Sequence, residues 1–198
     1  MARNEAEIIE AIITGDAEVF AELVRAHQAR VRLSCLVFLG NKDEADDAAQ
    51  DIFVKAFKSL AGFKGDASFE TWLLRIADNH CRDLLRTRKT RPTVSLDALL
   101  AEKGDALEGL LSRISGVGET PPYSSQDLEL LGRLFSALPQ EDRDVLALRE
   151  VERLSYEEMA QRLSCSLDAV KGRLKRARAT LSDKCRHFLD TSAVPPRL

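Results

Sequence analysis

The stretch Leu154–Leu181, LSYEEMAQRLSCSLDAVKGRLKRARATL, decides how this chain is read. Ser155 and Glu158 stand at the S-x-x-E spacing, where a hydroxyl and a carboxylate satisfy two free amides at a helix start. The helix they open is short and ends near Leu163. Ser164-Cys165-Ser166 is a tight connection, and Ser166 is placed to cap a longer helix from Leu167 to about Cys185. A short helix, a three-residue turn and a longer basic helix make the helix-turn-helix layout. At about 100° per residue, Leu167, Val170, Leu174, Ala177 and Leu181 fall on one narrow side, which packs on the rest of the domain. Lys171, Gly172, Lys175 and Arg178 fall outward with Asp168, and Arg173 and Arg176 flank them. Gly172 amid the cations lets this face approach a major groove closely, where Lys and Arg donate to guanine edges. A charge run is more often a solvated surface. Here layout, caps and charged face agree, and they favour duplex DNA.

Working outward, Leu138-Pro139-Gln140-Glu141 opens a further helix, with Pro near its first turn and acids after it. The whole chain has 198 residues, 31% charged and 44% hydrophobic, which excludes collagen-like, mucin-like and wholly disordered chains. Aromatics are 6%, and Leu and Ala dominate, so helix is favoured over a β-sandwich. The formal net charge is −3, so a nucleic-acid role requires charge segregated along the chain. It is segregated: residues 1–86 hold 11 basic against 15 acidic side chains, and residues 128–198 hold 13 against 11. Between them, residues 87–127 gather Pro, Gly, Ser and Thr and read as a linker. Within it Leu96, Leu99, Leu100, Leu107, Leu110, Leu111 and Ile114 keep a helical period that Gly104 and Gly109 weaken, so a marginal amphipathic helix and a disordered tether both stand. No apolar run approaches the roughly 20 residues of a membrane span, so no membrane insertion is expected. The acidic N-terminus lacks the marks of a signal peptide. Cys35, Cys81, Cys165 and Cys185 are widely spaced without a CxxC pair, as expected of reduced, partly buried thiols in a cytoplasmic protein.

The first 86 residues read as four helices: about 4–14, about 16–39 with Asp16 as cap, one from Asn41, and one from about Phe69 to Arg88. Gly40-Asn41 breaks the second from the third. The third buries a stripe of Ala45, Ala48, Ala49, Ile52, Phe53, Ala56, Phe57 and Leu60. Its other side carries Asp46, Asp47, Gln50, Asp51 and Lys55, a solvated acidic face or a dock for a basic partner. On the fourth, Arg75, Asn79, Arg82 and Arg86 share one face. A Gly-containing loop with Phe63, Lys64 and Ser68 precedes this helix, and Phe69 and Trp72 lie in its first turn. Cations beside aromatics and an adaptable loop suit single-stranded nucleic acid, although Phe69 and Trp72 are more often simply core.

No P-loop, GxGxxG or Ser/His/Asp arrangement occurs, and His27, His80 and His187 are scattered. The acidic residues of the third helix do not converge on an ion, because neighbouring carboxylates on one exposed helix point apart. The expectation is a protein that is not an enzyme, with no cofactor and no metal.

The segment DEADDAAQDIFVKAFKSLAGFKGDASFETWLLRIADNHCRDLLR resembles region two of bacterial sigma factors, and LPQEDRDVLALREVERLSYEEMAQRLSCSLDAVKGRLKRARATL resembles region four. Their order, with too little chain between them for a region-three domain, is similar to the extracytoplasmic-function (ECF) subfamily of the sigma-70 family. The resemblance implies an all-α chain of two small helical domains on a flexible linker: a region-two-like domain at 1–90, a linker at 91–127 and a helix-turn-helix domain at 128–190. It implies core RNA polymerase and promoter DNA as partners, with an anti-sigma factor besides. Asp47, Gln50 and Asp51 match the surface that docks on the polymerase β′ clamp, and the region-four domain sits on the β flap. Residues 63–70 match the loop that captures a flipped base of the minus-ten element, and Arg75, Asn79 and Arg82 match the helix beside it. Lys171, Arg173, Lys175 and Arg176 match positions that meet the minus-thirty-five element; Lys175 replaces an apolar or aromatic residue more usual there. The rival readings are a stand-alone helix-turn-helix regulator, for which the chain offers no obvious dimerisation helix, and an adaptor or decoy that binds polymerase without initiating, which would not need the cationic stripes.

Overall fold

The computed structural model describes residues 4–87 and 124–192, with side chains through residue 184. Every regular element among these residues is helical. The N-terminal unit holds α1 (Glu5–Ile13), a 3₁₀ turn (Ala17–Val19), α2 (Phe20–Leu39), α3 (Lys42–Ser59) and α4 (Phe69–Thr87). The C-terminal unit holds α5 (Ser125–Ser136), α6 (Gln140–Leu146) running on into a π-helical turn (Ala147–Val151), α7 (Tyr156–Arg162) and α8 (Leu167–Ser192). The leucine-periodic segment at 96–114 lies outside the described residues.

Most boundaries follow from local chemistry. Gly40 ends α2 in the left-handed region at φ 67°, its N–H donating to the Leu36 carbonyl. The Asn41 side chain then accepts from the Glu44 amide and starts α3. Asp16 makes no side-chain cap; a 3₁₀ turn leads into α2 in its place. Ser124 and Asp127 form a reciprocal capping box at the head of α5, three residues before the expected domain start.

The two helical units expected on either side of a linker both form. Both units share one apolar core, with α2 at its centre. Residues 33–40 are buried on every side. One side of α2 meets α3 and α4, and the other meets α5, α6 and the π-helical turn. The approach is close at two glycines. A Cβ on Gly132 of α5 would stand 3.2 Å from Leu36 Cδ1, and a Cβ on Gly40 would stand 2.9 Å from the Ser136 Cα. Polar groups cross the same boundary: Arg30 donates to the Val151 carbonyl, and Gln140 Nε2 donates to the Phe38 carbonyl at 3.3 Å. A helix end that is apolar all round is stable only when covered all round, and the C-terminal unit completes the cover.

Candidate nucleic-acid interface

The helix-turn-helix forms as its caps dictate. Ser155 Oγ accepts from the Glu158 amide at 3.2 Å, and Glu158 Oε2 accepts from the Ser155 amide at 2.8 Å. These bonds favour the charged Glu158 carboxylate and hold it below its ordinary range. The turn closes through Ser164 at φ 50°, with the Cys165 amide donating to the Ala160 carbonyl at 3.0 Å. Ser166 Oγ accepts from the Ala169 amide and starts α8. Val170, Leu174 and Ala177 are buried, which turns Lys171, Lys175 and Arg176 outward to solvent with Gly172 and Arg173 half-exposed between them. A Cβ at Gly172 would meet only the Arg176 guanidinium, at 3.6 Å, so the backbone here is open to an approaching surface. Arg178 is exposed on the outward side as expected, and it is also paired. Its guanidinium folds back and donates twice to Glu150 Oε1, at 3.0 and 2.6 Å, which ties α8 to the π-helical turn.

The loop before α4 is organised by aromatics. Phe69 is 1% exposed and belongs to the core, which removes it from the surface set: its ring packs against His27 at 5.3 Å between centroids. Phe63 and Trp72 lean on it from outside, at 6.0 and 5.6 Å, and on each other at 5.3 Å. Both are half-buried, so together they form an aromatic shelf with Phe69 as its base. Ser68 caps α4 by accepting from the Thr71 amide, and Lys64 is exposed beside the shelf. Gly65 takes φ 75° with nothing within 4 Å of a Cβ, an open turn at the loop tip.

Along α4 the expected face is partly covered. Arg75 is exposed at the rim of a cleft of about 310 Å³ between α4 and the C-terminal unit, lined also by Thr71, Glu152, Glu158 and Arg162. Asn79 Oδ1 accepts from Arg162 at 3.1 Å. Arg82 donates to Asp78 at 2.5 Å, stands 3.8 Å from Asp144, and stacks on the Phe38 ring at 5.8 Å. Asp78 is fully buried and receives Arg162 as well, at 2.5 Å. Two of the three residues expected to face nucleic acid are thus engaged by this chain itself. Beside them Glu152 Oε1 is buried without a hydrogen-bond partner. Burial, and after it the nearby Asp78 charge, pushes the Glu152 carboxyl up to about 8.

The acidic face of α3 is divided. Asp46 is neutralised by Arg32 at 2.7 Å and Lys42 at 3.5 Å. Asp47, Gln50 and Asp51 project to solvent, Asp51 lying 3.5 Å from His80 Nε2. Burial, then the Lys55 charge, lowers the His80 pKa. Two apolar residues flank this face: Val54, 51% exposed, and Phe57, 42% exposed. Phe57 was expected in the core stripe. It instead covers the edge of Phe20 at 5.0 Å and leaves its outer side to water. Cys35 and Cys81 are buried; a hydrogen bond between them, then burial, raises the Cys35 thiol well above its usual range. Among the described residues no group of His, Cys, Asp and Glu is placed to hold a metal ion, and no helix is long and apolar enough to cross a membrane.

Comparison with known proteins defines the class first. Residues 23–91 match sigma-70 region 2, and residues 128–181 match sigma-70 region 4. The ECF RNA polymerase sigma-E factor of Escherichia coli K12 is 34% identical over 178 residues, covering 89% of this chain and 92% of the relative. The RNA polymerase sigma-H factor of Pseudomonas aeruginosa is 34% identical over 183 residues, covering 90% of this chain and 92% of the relative. Among solved structures, CnrH in complex with the cytosolic domain of CnrY covers 91% of this chain and 96% of its own, at 27% identity and a TM-score of 0.56. The sigma factor RpoE of Bartonella quintana, in complex with the anti-sigma factor NepR, shares the fold at 21% identity and a TM-score of 0.54 over 84% of this chain and 95% of that one. The chain belongs to the ECF subfamily of the sigma-70 family. It is an RNA polymerase sigma factor, a partner of core RNA polymerase and promoter DNA, and not a stand-alone regulator.

Proposed function

We propose that this sigma factor divides promoter recognition between the outward face of α8 and the loop-and-α4 surface of the N-terminal unit. Lys171, Arg173, Lys175 and Arg176, with Gly172 between them, enter the major groove of the minus-thirty-five element, where cations meet phosphates and guanine edges. Arg178 steadies α8 through Glu150 and reaches DNA only if that pair opens. In the minus-ten element, a base that leaves the stack settles on the Phe63–Trp72 shelf, with Lys64 and Ser68 beside its phosphate and Phe69 supporting the shelf from below. Arg75 takes the neighbouring phosphates, and Asn79 and Arg82 join once released from Asp78 and Arg162. Unstacking costs a few kcal/mol, which aromatic contact worth about 1–3 kcal/mol per base offsets in part. Asp47, Gln50 and Asp51 dock on the polymerase β′ clamp, and the C-terminal unit sits on the β flap. The chain catalyses no reaction, uses no cofactor and works in the cytoplasm. An anti-sigma factor covers it when it is idle, as NepR and CnrY accompany the similar proteins above.

The observation that carries this reading is the pairing, in one chain, of a solvent-facing cationic helix after a capped turn with an aromatic shelf beside Arg75. The test separates the two duties. Lys171→Ala with Arg176→Ala should abolish promoter-specific transcription by the reconstituted holoenzyme while binding to core polymerase is retained. Equal loss of core binding would overturn the assignment.

A further inference from the structure

The point where the C-terminal unit meets α4 is built from buried charge. Asp78 of α4, with no exposed surface, takes hydrogen bonds from Arg82 of its own helix and Arg162 of α7. Arg162 is divided between Asp78 and Asn79, while Arg82 keeps one buried nitrogen, Nη2, that makes no hydrogen bond. Glu152, which follows the π-helical turn, is packed into the same spot, and its Oε1 is left with no donor. The remaining charged groups around it are Arg75 of α4, exposed at the cleft rim, and Glu158 of α7. Arg30 of α2 is directed to the Val151 carbonyl and to Glu70. None of these supplies Glu152 with a hydrogen bond, so an ionised Glu152 is poorly accommodated while the units are packed and well accommodated in water once they part.

We propose that Glu152, Asp78 and Arg162 form a proton-linked clasp by which this chain's own C-terminal unit covers the Asn79–Arg82 face of α4, tightening as pH falls and loosening as pH rises. The direction follows from linkage. In the packed arrangement the Glu152 carboxyl lies near 8; in water it returns to the ordinary carboxylate range near 4.5. The packed state thus binds the extra proton between those values. Each unit of pH through that window shifts the packed-to-parted ratio by up to about tenfold toward parting as pH rises, and the effect levels off above about 8. Asp144, also raised by burial at this boundary, acts in the same sense. Glu158 is held low by a cap within the C-terminal unit, which parting leaves intact, and His80 faces Lys55 and Asp51 of α3, so neither opposes the effect. The consequence for promoter opening rests on the role proposed above for α4; the clasp itself does not.

The experiment is small-angle X-ray scattering of the full chain at pH 6.0 and pH 8.5 and constant ionic strength, with far-UV circular dichroism to confirm equal helicity. The wild-type radius of gyration should increase at pH 8.5. Glu152→Gln, neutral at both pH values, should stay compact at both. Arg162→Ala, which strips Asp78 of its inter-unit donor, should be expanded at both. An unchanged wild-type radius, or a Glu152→Gln variant that expands as the wild type does, overturns the proposal. Anisotropy titration of a single-stranded minus-ten oligonucleotide is the second arm. If scattering follows the expected pattern and oligonucleotide affinity does not, the clasp stands and the role given to the α4 face falls.

Discussion

Gly40→Ala tests the packing of the two units on the end of α2, and its size can be worked from the backbone. Gly40 takes φ 67°, where an L side chain costs about 1–2 kcal/mol. Its added Cβ would also stand 2.9 Å from Ser136 Cα and 3.0 Å from Ser136 N, both backbone of α5, and 2.5 Å from the buried Arg143 guanidinium. Helix backbone cannot swing aside, so α5 must shift, and overpacking of this kind costs about 1–3 kcal/mol more. Gly65→Ala supplies the control: it carries the same left-handed strain at φ 75°, with nothing within 4 Å of the new Cβ. Urea unfolding followed by circular dichroism should give a loss of about 2–5 kcal/mol for Gly40→Ala and about 1–2 kcal/mol for Gly65→Ala. At a slope near 2 kcal/mol per molar urea, the midpoints should differ by roughly 0.5–1.5 M. Equal midpoints would mean that α5 does not press on Gly40, and the shared core would have to be abandoned.

Three further outcomes are expected. Lys171→Ala with Arg176→Ala should lower the slope of log affinity against log salt on duplex promoter DNA by about 1.8, the value for two lost phosphate contacts; an unchanged slope would show that neither side chain meets a phosphate. Asp47→Lys with Asp51→Lys, both on exposed positions of α3, should weaken binding to core polymerase at least tenfold in a pull-down titration while leaving helicity and the melting temperature as they were. Ser155→Ala removes one half of the α7 capping box and should cost about 1 kcal/mol in thermal unfolding. The Glu158 half is held below the usual carboxylate range, so its contribution is present at neutral pH and fades as acidification reaches that lowered pKa. A Ser155→Ala melting curve that matches the wild type at pH 7 would contradict this.

Local signals carried the fold far. Ser155, Glu158 and Ser166 set the helix-turn-helix through contacts three residues apart, and Gly40-Asn41 set the break between α2 and α3, so a reader of the chain finds them by spacing. The packing of the two units depends on residues distant in sequence. The Asp78–Arg162 bond spans 84 residues, and nothing in the period of either helix announces it. One clue was present: Leu33-Ser34-Cys35-Leu36-Val37-Phe38-Leu39 is apolar on all sides, which a single-sided bundle leaves half uncovered. The same cause governs details at individual residues. Arg178 points outward by helical phase, yet its long side chain reaches back to Glu150. Phe57 has the phase of the core stripe, but it stands at the edge where α3 passes Phe20, and among the described residues no further element covers it. Phe69 and Trp72 share an aromatic cluster and differ in depth, a distinction that depends on how the loop of residues 63–68 folds over them.

The most direct test is run-off transcription with purified core RNA polymerase on linear duplex DNA carrying promoters of the source genome. The account predicts discrete transcripts that appear only when the chain is added, with one copy of it bound per polymerase. A chain that left the polymerase silent on every promoter, and instead bound duplex DNA by itself as a symmetric dimer, would contradict it.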